Sequence, residues 1–236
     1  MKRLSRSYPV LVIRSLTFYA LAGLAVVPFL VLWPAILLSR DVVYAITDRY
    51  LWVQLWLLRV VCGIRYTVSG QHHMPDEPVL IASQHESTWE TLFYQVLLGR
   101  PVMYAKKPIF TYPVFGPVMR KLGHVPVESS ATGDAMRAGF RAGAAAVKDG
   151  RSLVIFPSGT RRVADAGQMQ AGVGVLYQLA NVAAVPVRIN SGACWPHGTF
   201  VKYPGVIKVE IGPPFPAAMD RRSFMSALTK MLQDET

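Results

Sequence analysis

From Ser15 to Ser39 the chain runs 25 residues without a charged side chain, and the run is rich in Leu, Val, Ala, Phe and Trp. A stretch this apolar must be buried in protein or in lipid, and it is long enough to match the hydrocarbon core of a bilayer. Pro28 and Pro34 interrupt it. Each removes a backbone donor and pushes its predecessor out of the α region, which argues for a kinked or re-entrant segment over a straight helix. A second apolar run, Tyr50 to Ile64, holds Trp52, Leu55, Trp56 and Leu58, but it has 15 residues and carries Arg59. It is too short to cross alone. Joined by a charged turn of Arg40, Asp41, Asp48 and Arg49, the two runs read as a membrane-embedded two-helix hairpin dipped into one leaflet, with Arg59 reaching back to the head groups. A two-pass span is the alternative.

Lys2, Arg3, Arg6 and Arg14 precede the first run with no acid among them, which places the expected amino terminus in the cytoplasm. Both hairpin and two-pass span return the chain to that side, so the expected location is the inner membrane with the remainder on its cytoplasmic face. Ala20-Leu21-Ala22 has the form of a cleavage site, but the apolar run continues well beyond it, against a cleaved signal. Residues 1–64 carry 7 basic and 2 acidic side chains, and residues 65–236 carry 18 and 12. Both parts are basic. That balance suits an anionic membrane surface and phosphate-bearing ligands. No nucleic-acid motif or dense Lys/Arg tract accompanies it, so nucleic acid is not expected as a partner. Two cysteines, Cys62 and Cys194, are too few for a disulfide framework and have no metal-knuckle spacing.

After residue 64 short β-rich runs alternate with helical stretches, with no repeat and no low-complexity tract. Candidate strands are Tyr66 to Val68, Val79 to Ala82, Val102 to Ala105, Val125 to Val127, Leu153 to Phe156, Ala184 to Ile189 and Val206 to Ile211. Candidate helices are Thr88 to Leu98, Thr132 to Lys148, Gly172 to Ala180 and Met219 to Leu232. The alternation predicts an α/β domain over 65–236 with a largely parallel central sheet flanked by helices, preceded by the membrane hairpin of 1–64. In such sheets ligands gather at the carboxyl ends of strands, so the strand-to-helix loops carry the chemistry.

The first such loop, Ser83-Gln84-His85-Glu86-Ser87-Thr88-Trp89-Glu90, sets a histidine five residues before a carboxylate. On one regular helix that separation turns about 140°, so the two side chains would diverge. With His85 in the loop and Glu90 in the first helical turn they can meet. The carboxylate then fixes the imidazole tautomer while the other ring nitrogen takes a proton from a hydroxyl. Ser87-Thr88-Trp89-Glu90 is equally a capping box, in which Glu90 only satisfies backbone donors. Both readings stand at this point. A zinc helix is not indicated, because position 89 is tryptophan where H-E-x-x-H needs a second histidine.

The second loop places Lys106 and Lys107 at a strand end, before an aromatic stretch with Pro113 and Gly116. The third, Phe156-Pro157-Ser158-Gly159-Thr160-Arg161-Arg162, brings small residues, hydroxyls and two guanidiniums to where backbone amides become available. It lacks the G-K-[ST] of a Walker loop. The fourth ends the Ala184 to Ile189 strand with Asn190, Ser191 and Gly192. Taken singly, lysines, a polar turn or a simple bend would explain each of these three.

Together and in this order the four blocks resemble the glycerolipid acyltransferase family, whose members include 1-acyl-sn-glycerol-3-phosphate acyltransferases. The family pattern H-x4-D/E appears as His85 to Glu90, K-x5-P-x2-G as Lys107 to Gly116, F-P-E-G-T-R as Phe156 to Arg161, and V-P-V-x2-N-S-G as Val185 to Gly192. The resemblance implies that His85 deprotonates a free glycerol hydroxyl, with Glu90 orienting it. It implies an acyl thioester of coenzyme A or acyl carrier protein as donor, a lysophospholipid as acceptor, and no metal or prosthetic group. Lys107 and Arg161 would hold the acceptor phosphate, and the Asn190 loop would shape the site. Backbone amides around Phe156 to Thr160 would stabilise the oxyanion.

Three positions depart from the pattern. The glutamate of F-P-E-G-T-R is Ser158, an expected arginine after Glu128 is Ser129, and a lysine common before the G-V pair is Gln170. The acceptor side therefore lacks two cations and one carboxylate, while the His85 and Glu90 pair is intact. The expected product is phosphatidic acid from lysophosphatidic acid. Alternatives are transfer to another lysolipid, such as a lyso-ornithine lipid, and a non-catalytic lipid-binding protein on the same scaffold.

Overall fold

The structure, a computed structural model, describes residues 8–28, 36–128, 133–161 and 168–233. Pro34, Ser129 and Arg162, named above, lie outside them. Helices α1 (Tyr8–Leu24) and α2 (Arg40–Val60) come first. They are followed by β1 (Ile64–Ser69), β2 (Leu80–Ser83), α3 (Trp89–Leu97), β3 (Val102–Lys106), α4 (Phe115–Lys121) and β4 (Val125–Val127). Then come α5 (Gly133–Lys148), β5 (Leu153–Ile155), α6 (Gly172–Ala180), β6 (Ala184–Ile189), β7 (Gly205–Ile211) and α7 (Arg221–Gln233). The strands form a seven-stranded sheet in the order β1-β7-β6-β2-β5-β3-β4. Pairing is parallel throughout, except that β6 and β7 run antiparallel.

Strand alternation divides the core between the two faces of the sheet. On β2, Ile81 joins Phe18 of α1, Leu55 and Leu58 of α2, and Trp89 and Phe93 of α3. Its neighbours Leu80 and Ala82 turn to the opposite face, with Val147 of α5, Leu176 and Tyr177 of α6, and Phe224 and Leu228 of α7. Helices thus cover both faces. This is why the central strands are apolar at successive positions instead of alternating with polar ones. Side chains from before and after residue 64 share one core, so α1 and α2 are built into the α/β layer.

Helix α2 corrects the expected charged turn. Arg40, Asp41, Asp48 and Arg49 all lie within it. Ser39 caps it, its hydroxyl accepting from the Val42 amide, and Asp41 favours the first turn through the helix dipole. The acids find partners outside the local sequence: Arg100 meets Asp41 at 3.0 Å and Asp48 at 3.8 Å. Arg151 donates to the Tyr44 hydroxyl, and that hydroxyl donates to Leu122 O at 3.0 Å. Helix α1 ends at Leu24, four residues before Pro28. No helix among the described residues is long and apolar enough to cross a membrane. Even so, most of the exposed large apolar side chains lie on these first two helices, among them Ile13, Leu16, Leu24, Trp52, Val53, Trp56 and Val60.

Candidate active site

The sheet order places the four loops side by side. β6, β2, β5 and β3 are consecutive and parallel, so the loops that leave their carboxyl ends, carrying Asn190, His85, Ser158 and Lys107, open on one edge. Gln84 ties the first of them to the end of β6 and to α7, accepting from the Ile189 amide at 2.9 Å and donating to Leu232 O at 2.7 Å.

Glu90 lies at the centre of the site and is 0% exposed. Its Oε1 faces His85 Nδ1 at 2.8 Å and accepts from the amides of Glu86 at 2.7 Å and Ser87 at 2.8 Å. Its Oε2 accepts the hydroxyls of Ser87 at 2.9 Å and Ser191 at 2.7 Å. Ser87 Oγ in turn accepts the Trp89 amide at 2.9 Å. The N-cap of α3 is Thr88, so the full capping box is not formed, but Glu90 does satisfy the Glu86 and Ser87 amides as well as pairing with His85. An ionised carboxylate has about four acceptor positions, and Glu90 uses them for both tasks. Burial pushes its carboxyl up, but the hydrogen bond and charge of His85, the Ser87 amide and the Ser191 hydroxyl together hold it below the usual carboxylate value.

With Nδ1 committed to Glu90, the neutral imidazole carries its proton there and presents Nε2 as an acceptor. The His85 side chain is 15% exposed, so the ring is not sealed in the core. The ring is stacked on Phe156, with centroids 3.9 Å apart and planes at 14°. Phe156 belongs to the third block, so adjacent strands supply both the base and the surface that orients it.

Arg161 Nη1 donates to Thr88 Oγ1 at 2.8 Å, which fastens its guanidinium beside the histidine loop. Lys107 is solvent-facing and pairs with Glu128 at 2.5 Å; this contact holds its ammonium above the usual lysine value. Lys106 is exposed. Ser158 is buried and closes on its own loop, donating to Thr160 O at 2.8 Å and accepting the Thr160 amide at 3.4 Å. The Gly159 amide donates to Phe156 O at 2.9 Å, and Gly159 has φ +67°, a conformation glycine adopts without strain. The amides of Gly159 and Thr160, expected to face an oxyanion, are thus engaged within the loop. Asn190 Oδ1 accepts the Lys208 amide at 2.7 Å, so Asn190 ties the fourth loop to β7, while Ser191 supplies the contact to Glu90.

Sequence reasoning missed four side chains of this site: Ser87, Thr88, Phe156 and Glu86. Glu86 Oε2 accepts the Gly192 amide at 2.8 Å, and a Cβ on Gly192 would lie 3.0 Å from that oxygen. Burial pushes the Glu86 carboxyl up, the Gly192 amide opposes this, and the charge of Glu90 adds to it. The S-x-x-E spacing was the available signal for Ser87. Phe156 opens the Phe156 to Arg161 block, although its stacking on His85 could not be read there, and nothing local marks Thr88 or Glu86.

A family model described as Acyltransferase matches residues 65–190, which hold the first three loops and end at Asn190, the first residue of the fourth. The chain belongs to the acyltransferase family. Over 160 residues it is 36% identical to a 1-acyl-sn-glycerol-3-phosphate acyltransferase of Pseudomonas aeruginosa, covering 67% of this chain and 62% of that one. It is 28% identical over 144 residues to an enzyme of the same name from Streptococcus pneumoniae, covering 56% of this chain and 52% of that one. The matched part therefore spans less than two thirds of either relative. The crystal structure of the 1-acyl-sn-glycerophosphate (LPA) acyltransferase from Thermotoga maritima has the same fold, with a TM-score of 0.71, 18% identity and 93% of each chain covered.

Proposed function

We propose that this acyltransferase-family chain moves a fatty acyl group from a thioester of coenzyme A or acyl carrier protein to the free hydroxyl of lysophosphatidic acid, giving phosphatidic acid. The observation that carries this reading is the 2.8 Å contact of His85 Nδ1 with the buried Glu90, which leaves Nε2 as the acceptor at a partly exposed ring edge. Nε2 takes the hydroxyl proton as the oxygen attacks the thioester carbonyl. The tetrahedral adduct collapses by breaking the carbon–sulfur bond, and the departing thiolate receives the proton from the imidazolium. Such general-base assistance contributes about 10²- to 10⁴-fold. The activity names of the relatives support the reaction class.

Arg161, anchored by Thr88, is the first ligand for the acceptor phosphate. Lys107 joins it by exchanging Glu128 for the phosphate. The thioester is a substrate, and the chemistry as written needs no prosthetic group or metal. The exposed apolar faces of α1 and α2 would rest in one leaflet of the inner membrane, on its cytoplasmic side, where the basic surface meets anionic lipid.

The test is an assay of the purified chain with an acyl thioester against a panel of lysolipids, including lysophosphatidic acid and a lyso-ornithine lipid. Transfer to lysophosphatidic acid is expected to dominate. His85→Ala should abolish transfer while leaving lipid binding intact. Unchanged turnover in that variant rejects His85 as the base, and preference for another lysolipid rejects the acceptor.

A further inference from the structure

Lys202 belongs to none of the four blocks, yet it is one of the most deeply buried cations of the chain at 1% exposure. It lies in the segment between the turn Ser191–Ala193 and β7. Its Nζ has no hydrogen-bond partner, and no carboxylate pairs with it among the described residues. Three rings close on it instead: Tyr19 with its centroid at 3.6 Å, Trp195 at 4.2 Å and Phe18 at 4.7 Å. A buried ammonium with no counter-ion is costly unless something takes up its charge, and aromatic faces do this best when water is excluded.

The box joins two parts of the molecule. Phe18 and Tyr19 belong to α1, whereas Trp195 follows the Ser191 turn. The Lys202 amide donates to Ser15 Oγ of α1 at 2.9 Å, and Phe18 meets Trp195 edge-on at 5.9 Å. From Trp195 the path to the dyad is short: its amide donates to Ser191 O at 2.9 Å, and Ser191 Oγ donates to Glu90. The Tyr203 amide donates to Cys194 O at 2.8 Å and closes the segment on itself.

We propose that Lys202 is a positioning residue whose ammonium clamps Trp195 to Phe18 and Tyr19, so that the seating of α1 on the α/β domain sets the Ser191 contact behind Glu90 and His85. The effect on turnover rests on the acyltransferase reading; the clamp itself does not. The titratable groups around Lys202 are Tyr19 of α1 and Cys62, just beyond the end of α2, and Arg14 acts on the same thiol. Arg14 is turned to Val61 O, to which its Nε donates at 2.6 Å. Burial pulls the Lys202 ammonium down to about 8, with Cys62 opposing slightly, while the thiols of Cys62 and Cys194 are pushed up by burial. On raising the pH, Lys202 is the first to change charge.

The experiment uses the full chain in detergent, labelled with 5-fluorotryptophan, with the Trp195 resonance assigned by Trp195→Phe. In the wild type the Trp195 line should move with a midpoint near 8. In Lys202→Met it should not move with pH, and in Lys202→Arg it should hold the low-pH position. With a thioester donor, Lys202→Met should lose about tenfold in kcat at unchanged KM for the lysolipid, and Lys202→Arg should recover most of it. If Lys202→Met does not fold, Tyr19→Leu removes the nearest ring and should shift the Trp195 line and lower kcat in the same way. A wild-type Trp195 line that ignores pH, or a Lys202→Met enzyme with full kcat, overturns the proposal. Should the wild type acylate no lysolipid at all, the functional reading falls, and the fluorine titration alone decides the clamp.

Discussion

Ser191→Ala removes one hydroxyl and tests how the dyad carboxylate is held. Ser191 is 0% exposed, and its Oγ donates to Glu90 Oε2 at 2.7 Å. A hydrogen bond to a buried charge is worth roughly 1.5–3 kcal/mol, which for a chain of this size is a fall in Tm of roughly 3–12 °C. The loss should depend on pH. The Glu90 carboxyl is held below its usual value, so its stabilising contribution is present above the unfolded value, about 4.3, and is lost as pH falls through the native one. Without Ser191 the native value moves back toward the ordinary range. The gap between wild type and variant is therefore widest near neutrality and closes in acid, where both carboxyls are protonated. Thermal unfolding of both proteins in the same detergent, from about pH 7 down to about pH 3, measures this directly. Coincident melting at neutral pH would refute the contact. A gap of constant width into acid would refute the claim that the partner is an ionised carboxylate.

Trp56→Glu probes the membrane face. Trp56 is exposed on α2, so unfolding should be unchanged, while sedimentation with anionic phosphatidylglycerol vesicles should weaken by at least about tenfold, matching the roughly 1.5–3 kcal/mol for burying a large apolar side chain. Equal binding by both proteins would remove α2 from the lipid surface. This substitution is cleaner than deleting residues 1–64, which would also remove Phe18, Leu55 and Leu58 from the main core. Gly116→Ala probes the second loop: a Cβ there would run into the Phe110 carbonyl, which already accepts Arg120 Nη1 at 2.6 Å. A cost of about 1–3 kcal/mol is expected, with KM for the phosphate-bearing acceptor rising more than kcat falls, because Lys107 sits at the other end of that loop. A larger effect on kcat than on KM would contradict this.

The strands were legible because each is a short apolar or β-branched run between turn residues, and the parallel arrangement followed from the helices between them. Three features were not. Helix α4 escaped because Phe115–Lys121 contains Gly116 and Pro117; a proline is tolerated in the first turn, where its missing donor has no intrahelical partner. Residues 40–49 read as a turn because four of them are charged, yet they are helical. Their acids meet Arg100, and Arg40 Nε donates to Lys121 O at 3.1 Å, partners about 60 and 80 positions away that no local window contains. The antiparallel return of β7 against β6 is likewise set by long-range pairing.

In the site, local spacing offered Glu90 as either an acceptor for backbone donors or the partner of His85, and the choice was false because one carboxylate serves both. The acceptor side shows the reverse case, where the inventory of charges was readable but their pairing was not. Losing two cations and a carboxylate relative to the family pattern suggested a weakened phosphate clamp. In the structure Lys107 and Arg161 are not equivalent: Lys107 is paired with Glu128, whereas no carboxylate pairs with Arg161 among the described residues. Ser158 closes on Thr160, and Thr88 orients the arginine. On the proposed function, an acceptor phosphate would meet Arg161 already oriented by Thr88 and would have to displace Glu128 only at Lys107.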